Sequence, residues 1–325
     1  MAARARNALL VLLVLALSAW YFALALGSVP LGAGGPGGLW QALFGSVSGL
    51  EHDIVMRLRL PRATAAFATG ALLAIAGALM QVLLRNPLAD PYVLGISGGA
   101  AVGALAVLWL GWGGFWLEAA AFAGAMLSMA LVFGLARGKG DWTPTRLLLT
   151  GIIVAAGWSA LITFIPSMAP EAKLRGMLFW LMGDLSAPAP PWTAAGLALI
   201  GLAAVLPFAR DFNVLARGDL SAAALGVNIS FVRRYIYVTA SLFTAVAVTT
   251  AGSVGFVGLI VPHLLRLAGV GDMRALLPGA ALAGGTLVLL ADTLARTIIA
   301  PRQLPVGVIT AFIGVPVFLY LLRRR

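Results

Sequence analysis

Apolar stretches near the length of a bilayer recur along the whole chain, at residues 8–26, 63–84, 92–110, 116–136, 146–166, 191–208, 235–252, 254–270, 276–299 and 305–322. A helix of about 20 residues crosses the hydrocarbon core, and lipid offers its backbone no hydrogen-bond partner outside the segment itself. The ten stretches therefore predict an all-α, polytopic membrane protein with ten transmembrane helices. The eighth is short and holds Pro262. Only 10% of the residues are charged and the mean hydropathy is +1.01. Soluble domains carry roughly 25% charged residues, so lipid must be the solvent for much of this surface. Arg4 and Arg6 before the first stretch resemble the start of a signal peptide. That stretch is nevertheless of bilayer length and reads as a retained first span.

An even number of spans puts both termini on one side. With the N-terminus inside, 15 of the basic residues fall on the cytoplasmic side, Lys139, Arg324 and Arg325 among them, and 7 fall outside. This inside excess follows the usual rule for membrane topology. The seven exceptions are Arg57, Arg59, Arg62, Lys173, Arg175, Arg296 and Arg302. Spans two to five and seven to ten begin on opposite sides, as an inverted repeat requires.

Several function classes are excluded. The chain has no Cys and only two His, His52 and His263, so no thiolate or His-rich metal site can be built. Its net charge of +11 is spread thinly between apolar runs and forms no basic stripe for nucleic acid. A phosphate-cradling loop needs Gly five positions before its Gly-Lys pair. For Gly138-Lys139 that position is Phe133, and Gly140 follows the lysine. The chain thus carries no ATPase site. Ion-coupled carriers usually bury ionisable groups. The best acidic candidate here is Asp292, which shares a helix face with Arg296 and is expected to form a local ion pair near the outer end of the ninth span. Gly70, Ala74, Gly77 and Ala78, with Gly99, Gly103 and Ala104 in the next span, are expected to let helices pack closely.

Three runs carry more specific information: residues 57–104, with RLPR, NPLADP and LGISGGA; residues 251–296, with GFVGLIVPH; and residues 304–322. Together they closely resemble the permease family of type II ABC importers, which includes the vitamin B12, heme and ferric-siderophore permeases. The resemblance spans nearly the whole chain. It implies one transmembrane permease domain over residues 1–325, a homodimer in the bacterial inner membrane, and a pathway lined mainly by the fifth and tenth spans. It also implies two separate ATPase subunits that hold ATP and Mg, and a periplasmic substrate-binding protein. No catalytic residue, metal or cofactor is expected on this chain.

Site residues follow from matched positions. Residues 210–232 form the longest hydrophilic cytoplasmic segment, in which Asp219 could cap a short helix and Gly226 could end it. Leu220, Ala223 and Ala224 would share one face. In the resembled family this is the coupling helix seated on the ATPase, and Gly218 belongs to the same run. Thr143, Pro144 and Thr145 stand where the family has its cytoplasmic gate, although Pro144 departs from the small hydroxyl residues found there. Arg59, Arg62 and Arg296 match the arginines that receive acidic residues of the binding protein; snorkelling to headgroups is the alternative. Met168, Met177, Phe179 and Trp180 could face a planar ligand, or pack against lipid or core. Two other functions fit parts of the pattern. One is a secondary carrier, disfavoured by the scarcity of buried charge. The other is a rhomboid-like intramembrane serine protease, suggested by Gly95-Ile96-Ser97-Gly98 with His263 as a distant base.

Overall fold

The computed structural model describes residues 3–29, 31, 39, 49–137, 143–186 and 191–323. Lys139 with its flanking glycines, and Arg324 and Arg325, lie outside them. Among the described residues the chain is helical throughout, with no strand. The order is α1 (Ala3–Ala25), α2 (Leu50–Leu83, π-helical over Ile54–Arg59), a 3₁₀ turn (Pro91–Leu94), α3 (Ile96–Leu110), α4 (Phe115–Ala136), α5 (Pro144–Met168), α6 (Glu171–Leu181) and α7 (Pro191–Val205). There follow α8 (Ala209–Leu215), α9 (Asp219–Ala224), α10 (Ile229–Ala251), α11 (Val257–Leu267), α12 (Met273–Thr297) and α13 (Val306–Arg323).

Every expected span coincides with a helix. Seven helical stretches are long and apolar enough to cross a membrane, one of them running from Trp192 to Leu215 through α7 and α8, and α3, α11 and α13 are shorter apolar helices. Helix α6 corresponds to none of the ten apolar stretches. The expected repeat is visible in part in helix lengths: α2 to α4 run long, short, long, and α10 to α12 run the same way, whereas α13 is shorter than α5. Both short helices start after a residue in the left-handed region, Gly95 at φ 70° and Phe256 at φ 70°. Exposed Trp109, Trp112, Phe115 and Trp116 surround the α3–α4 turn, forming the aromatic belt expected at a membrane interface.

The core is centred on α2, whose residues from Ala63 to Leu83 are almost all buried. It packs against α10, α11 and α12 through small residues, because lipid supplies no hydrophobic drive between helices and contact must come from close approach. Gly70 lies directly on the backbone of Gly284, and Gly77 on that of Gly258. A methyl at Gly77 would meet the Gly258 carbonyl oxygen, a backbone atom that cannot rotate aside. Gly77→Ala is expected to force α2 and α11 apart at a cost of about 1–3 kcal/mol. A melting temperature in detergent equal to that of the parent protein would refute this.

Candidate functional site

At the expected outer end, three arginines gather around the C-terminus of α1 and the end of α12. The last carbonyls of a helix have no partner within it, and a cation there also meets the negative end of the helix dipole. Arg59 Nη1 donates to Leu24 O at 2.7 Å and Ala25 O at 2.8 Å, and Arg59 Nη2 donates to Val29 O. Arg296 Nη2 donates to Ala23 O at 2.5 Å. Both arginines are buried. Arg62 grips Asp292 through Nε at 3.0 Å and Nη2 at 2.8 Å, and its Nη1 donates to Gln303 Oε1 at 2.7 Å. Asp292 also lies 3.6 Å from Arg296 Nε, giving the expected local ion pair with Arg62 as a second, better-placed partner.

This arrangement corrects one expectation. Arg59 and Arg296 do not offer free guanidinium groups to a partner, because the first span's terminal carbonyls and Asp292 occupy them. Arg57 is the exposed member, with 80% of its side chain accessible and a 3.0 Å pair to exposed Asp53. The four arginines nevertheless line a single cleft of about 260 Å³, together with Ser186 and Gln303. Asp292 is shared between Arg62 and Arg296, and Arg59 has carbonyl partners only, so the cleft is net positive and chemically suited to a carboxylate.

At the opposite end, α8 and α9 form the hydrophilic segment. Asn213 joins α8 to the start of α12: its Nδ2 donates to Asp272 Oδ1 at 2.8 Å, and its Oδ1 accepts the Met273 N–H at 2.9 Å. Asp272 caps α12 by accepting the Arg274 N–H at 2.9 Å. That N–H and the Asn213 amide hold its carboxyl below the usual carboxylate range. Helix α9 ends as expected: Gly226, at φ 74°, donates to Ala223 O, and Val227 N donates to Ala222 O. Asp219 does not cap it. Gly218 occupies the cap position, and the Asp219 carboxylate pairs instead with Arg85 and, at 2.7 Å, with Arg233. Leu220, Ala223 and Ala224 are all exposed, Leu220 at 90%, while Ala222 faces inward.

The expected gate residues begin α5. The Thr143 hydroxyl accepts the Arg146 N–H at 3.3 Å. Pro144 sits at the first helical position, where its missing N–H costs nothing, and Thr143 and Thr145 are exposed. The proposed cavity set divides. Met177 is fully buried against Leu105 and Ile165, so it belongs to the core and not to a cavity. Trp180 is also buried, at the edge of a cleft shared with Glu118 and Asp184. Phe179 lies under Arg175, whose guanidinium carbon is 5.5 Å from the ring centre, and Met168 is exposed. The Ser97 hydroxyl donates to Ser253 Oγ at 3.2 Å, a contact between the start of α3 and the break between α10 and α11 rather than one with a general base.

Sequence reasoning missed the Arg62–Asp292 and Arg85–Asp219 pairs, which join residues far apart in the chain and leave no local pattern. The capping of α1 by Arg59 had a weak signal: positive charge where topology disfavours it, next to a helix end.

Comparison with known proteins adds to this geometry. The profile of the FecCD transport family matches residues 11–324. The chain is 40% identical over 280 residues to the vitamin B12 import system permease protein BtuC of Citrobacter koseri, covering 83% of each chain. It is 41% identical over 276 residues to BtuC of Escherichia coli O157:H7, again covering 83% of each. A solved structure described as an inward-facing conformation of a metal-chelate type ABC transporter superposes with a TM-score of 0.84 at 28% identity, covering 99% of this chain and 100% of the other.

Proposed function

The chain belongs to the FecCD transport family, and we propose that it carries a metal chelate, with cobalamin the first to test, from the periplasm to the cytoplasm as the permease of an ATP-driven importer. It is a transporter component and not an enzyme. In the proposed assembly two copies face each other across the pathway, both termini are cytoplasmic, and two separate ATPase subunits hold ATP and Mg. Support for the second copy comes from α5, where Leu149, Ile152 and Ile153 are among many uncovered side chains. Support for the ATPase comes from Leu220, a 90% exposed leucine on a short helix at the hydrophilic end. That observation carries the reading, because nothing in this chain covers the side chain. Thr143, Pro144 and Thr145 are assigned to the cytoplasmic gate, with their caps allowing α5 to move as a unit.

The binding protein is assigned to the four-arginine cleft, with Arg57 and the outer edge of Arg62 making contact and Arg59 and Arg296 adding field from behind. Arg57→Glu changes an exposed charge, so it is expected to leave stability within about 0.5 kcal/mol. It should slow association of the binding protein by roughly tenfold at low salt, and the difference should shrink at high salt. Equal association rates at low salt would remove the cleft from the docking surface. The functional test is cobalamin uptake into proteoliposomes holding this chain and its ATPase. Accumulation that requires ATP and the binding protein is expected. Accumulation driven by an ion gradient without the ATPase would establish a secondary carrier instead.

A further inference from the structure

We propose that Tyr92 is the joint through which movement of α9 reaches both pathway helices, and that Arg85 loads it; this rests on the function proposed above. Arg85 stands in the turn two residues beyond α2, with its own backbone in the left-handed region, φ 48°. Its guanidinium meets Asp219, the first residue of α9. A short, self-bonded turn follows: Leu88 N donates to Asn86 Oδ1 at 2.9 Å, Ala89 N to Asn86 O at 3.0 Å, and Tyr92 N to Asp90 Oδ1 at 2.7 Å. A displacement of Arg85 is therefore carried to residues 91–94 rather than absorbed by loose chain.

The 3₁₀ turn touches both halves of the repeat. On one side it bears on α5: a methyl at Gly151 would sit 2.5 Å from Val93 O and 3.1 Å from Leu94 Cα. On the other, the Tyr92 phenol donates to Val254 O at 3.0 Å and accepts the Val254 N–H at 3.1 Å. One hydroxyl thus holds both backbone groups of a residue in the break between α10 and α11. That break is wedged against the start of α13. A methyl at Gly307 would lie 2.7 Å from Ser253 O, and Val306 N donates to Gly183 O at 3.0 Å. The left-handed residues Gly95 and Phe256 flank the joint, at helix breaks where one rigid span can turn against the next. Because the Arg85–Asp219 pair is partly exposed, its role is registry more than stability.

The test uses the full complex of permease, ATPase and binding protein in lipid nanodiscs and proteoliposomes. It reads substrate moved per ATP hydrolysed and the stimulation of ATP hydrolysis by loaded binding protein. Tyr92→Phe removes both hydrogen bonds and keeps the ring. It is expected to lower both readouts by about threefold or more, with basal hydrolysis and retention of the ATPase unchanged. Arg85→Gln should do the same and Arg85→Lys should retain more coupling. The double variant Tyr92→Phe/Arg85→Gln should be no worse than the poorer single variant, because both lie on one relay. A Tyr92→Phe protein with parental coupling would overturn the inference, as would one with a lowered melting temperature and equal loss of basal and stimulated rates. Failure of the parent chain to retain any ATPase would overturn the underlying function, and the inference with it.

Discussion

Asp292→Ala is expected to destabilise the protein by about 3–5 kcal/mol, because it leaves charge in the bundle with nothing to balance it. Only 1% of the Asp292 side chain is accessible. It accepts Arg62 Nε on both carboxylate oxygens and Arg62 Nη2 on one, and lies 3.6 Å from Arg296. The remaining partners of Arg296 are the Ala23 carbonyl and the Thr293 hydroxyl, which carry no charge. Removal of the carboxylate should loosen both guanidinium groups and fray the junction of α1, α2 and α12. Asp292→Asn should lie between, since it keeps shape but not charge. Removing the whole set behaves differently: a buried ionic cluster replaced by apolar residues is often neutral or better in stability. Asp292→Leu with Arg62→Leu and Arg296→Met should thus recover most of the lost melting temperature in detergent, while weakening the proposed cleft for carboxylates. An Asp292→Ala protein that melts with the parent would show that the cluster contributes no stability.

The fold was legible because the bilayer imposes one rule on every span: backbone pairing must be internal and the exterior apolar. That rule acts locally, so the ten stretches could be placed from sequence alone. It left α6 unseen, because Glu171, Lys173 and Arg175 interrupt its apolar run. The short helix α9 was also legible, since a hydrophilic break with Gly218 and Gly226 is a local signal. Partners of charged groups were not. Asp219 was expected to cap its own helix, yet Arg85, 134 positions away, takes its carboxylate. Arg59 and Arg296 stood out as charge on the wrong side of the membrane. Tertiary structure uses them to close the end of α1, which hydropathy cannot report. Met177 was misassigned because an apolar side chain facing a cavity and one facing the core look alike in sequence.

Leu220→Asp is expected to abolish retention of the ATPase subunits and the stimulation of ATP hydrolysis by loaded binding protein, with the permease itself intact. Leu220 is 90% exposed and Leu225 is 63% exposed, while Ala222 beneath them is buried. The helix therefore rests on Ala222 and presents its leucines outward. Burying one leucine side chain stabilises a complex by roughly 1.5–3 kcal/mol. Placing an unpaired carboxylate in the same pocket adds a further desolvation cost, so the combined loss exceeds about 3 kcal/mol, or more than a hundredfold in affinity. The permease should not notice, since an exposed substitution away from caps and pairs stays within about 0.5 kcal/mol. Asp219 beside it would keep Arg85 and Arg233, so the helix should hold its place. Ala223→Asp and Ala224→Asp, on the same exposed face, should weaken the complex in the same direction. Co-purification and ATP hydrolysis, measured with the permease melting temperature, separate the outcomes. If Leu220→Asp protein retains its ATPase and full stimulation, α9 is an interfacial helix and the coupling surface lies elsewhere on the chain.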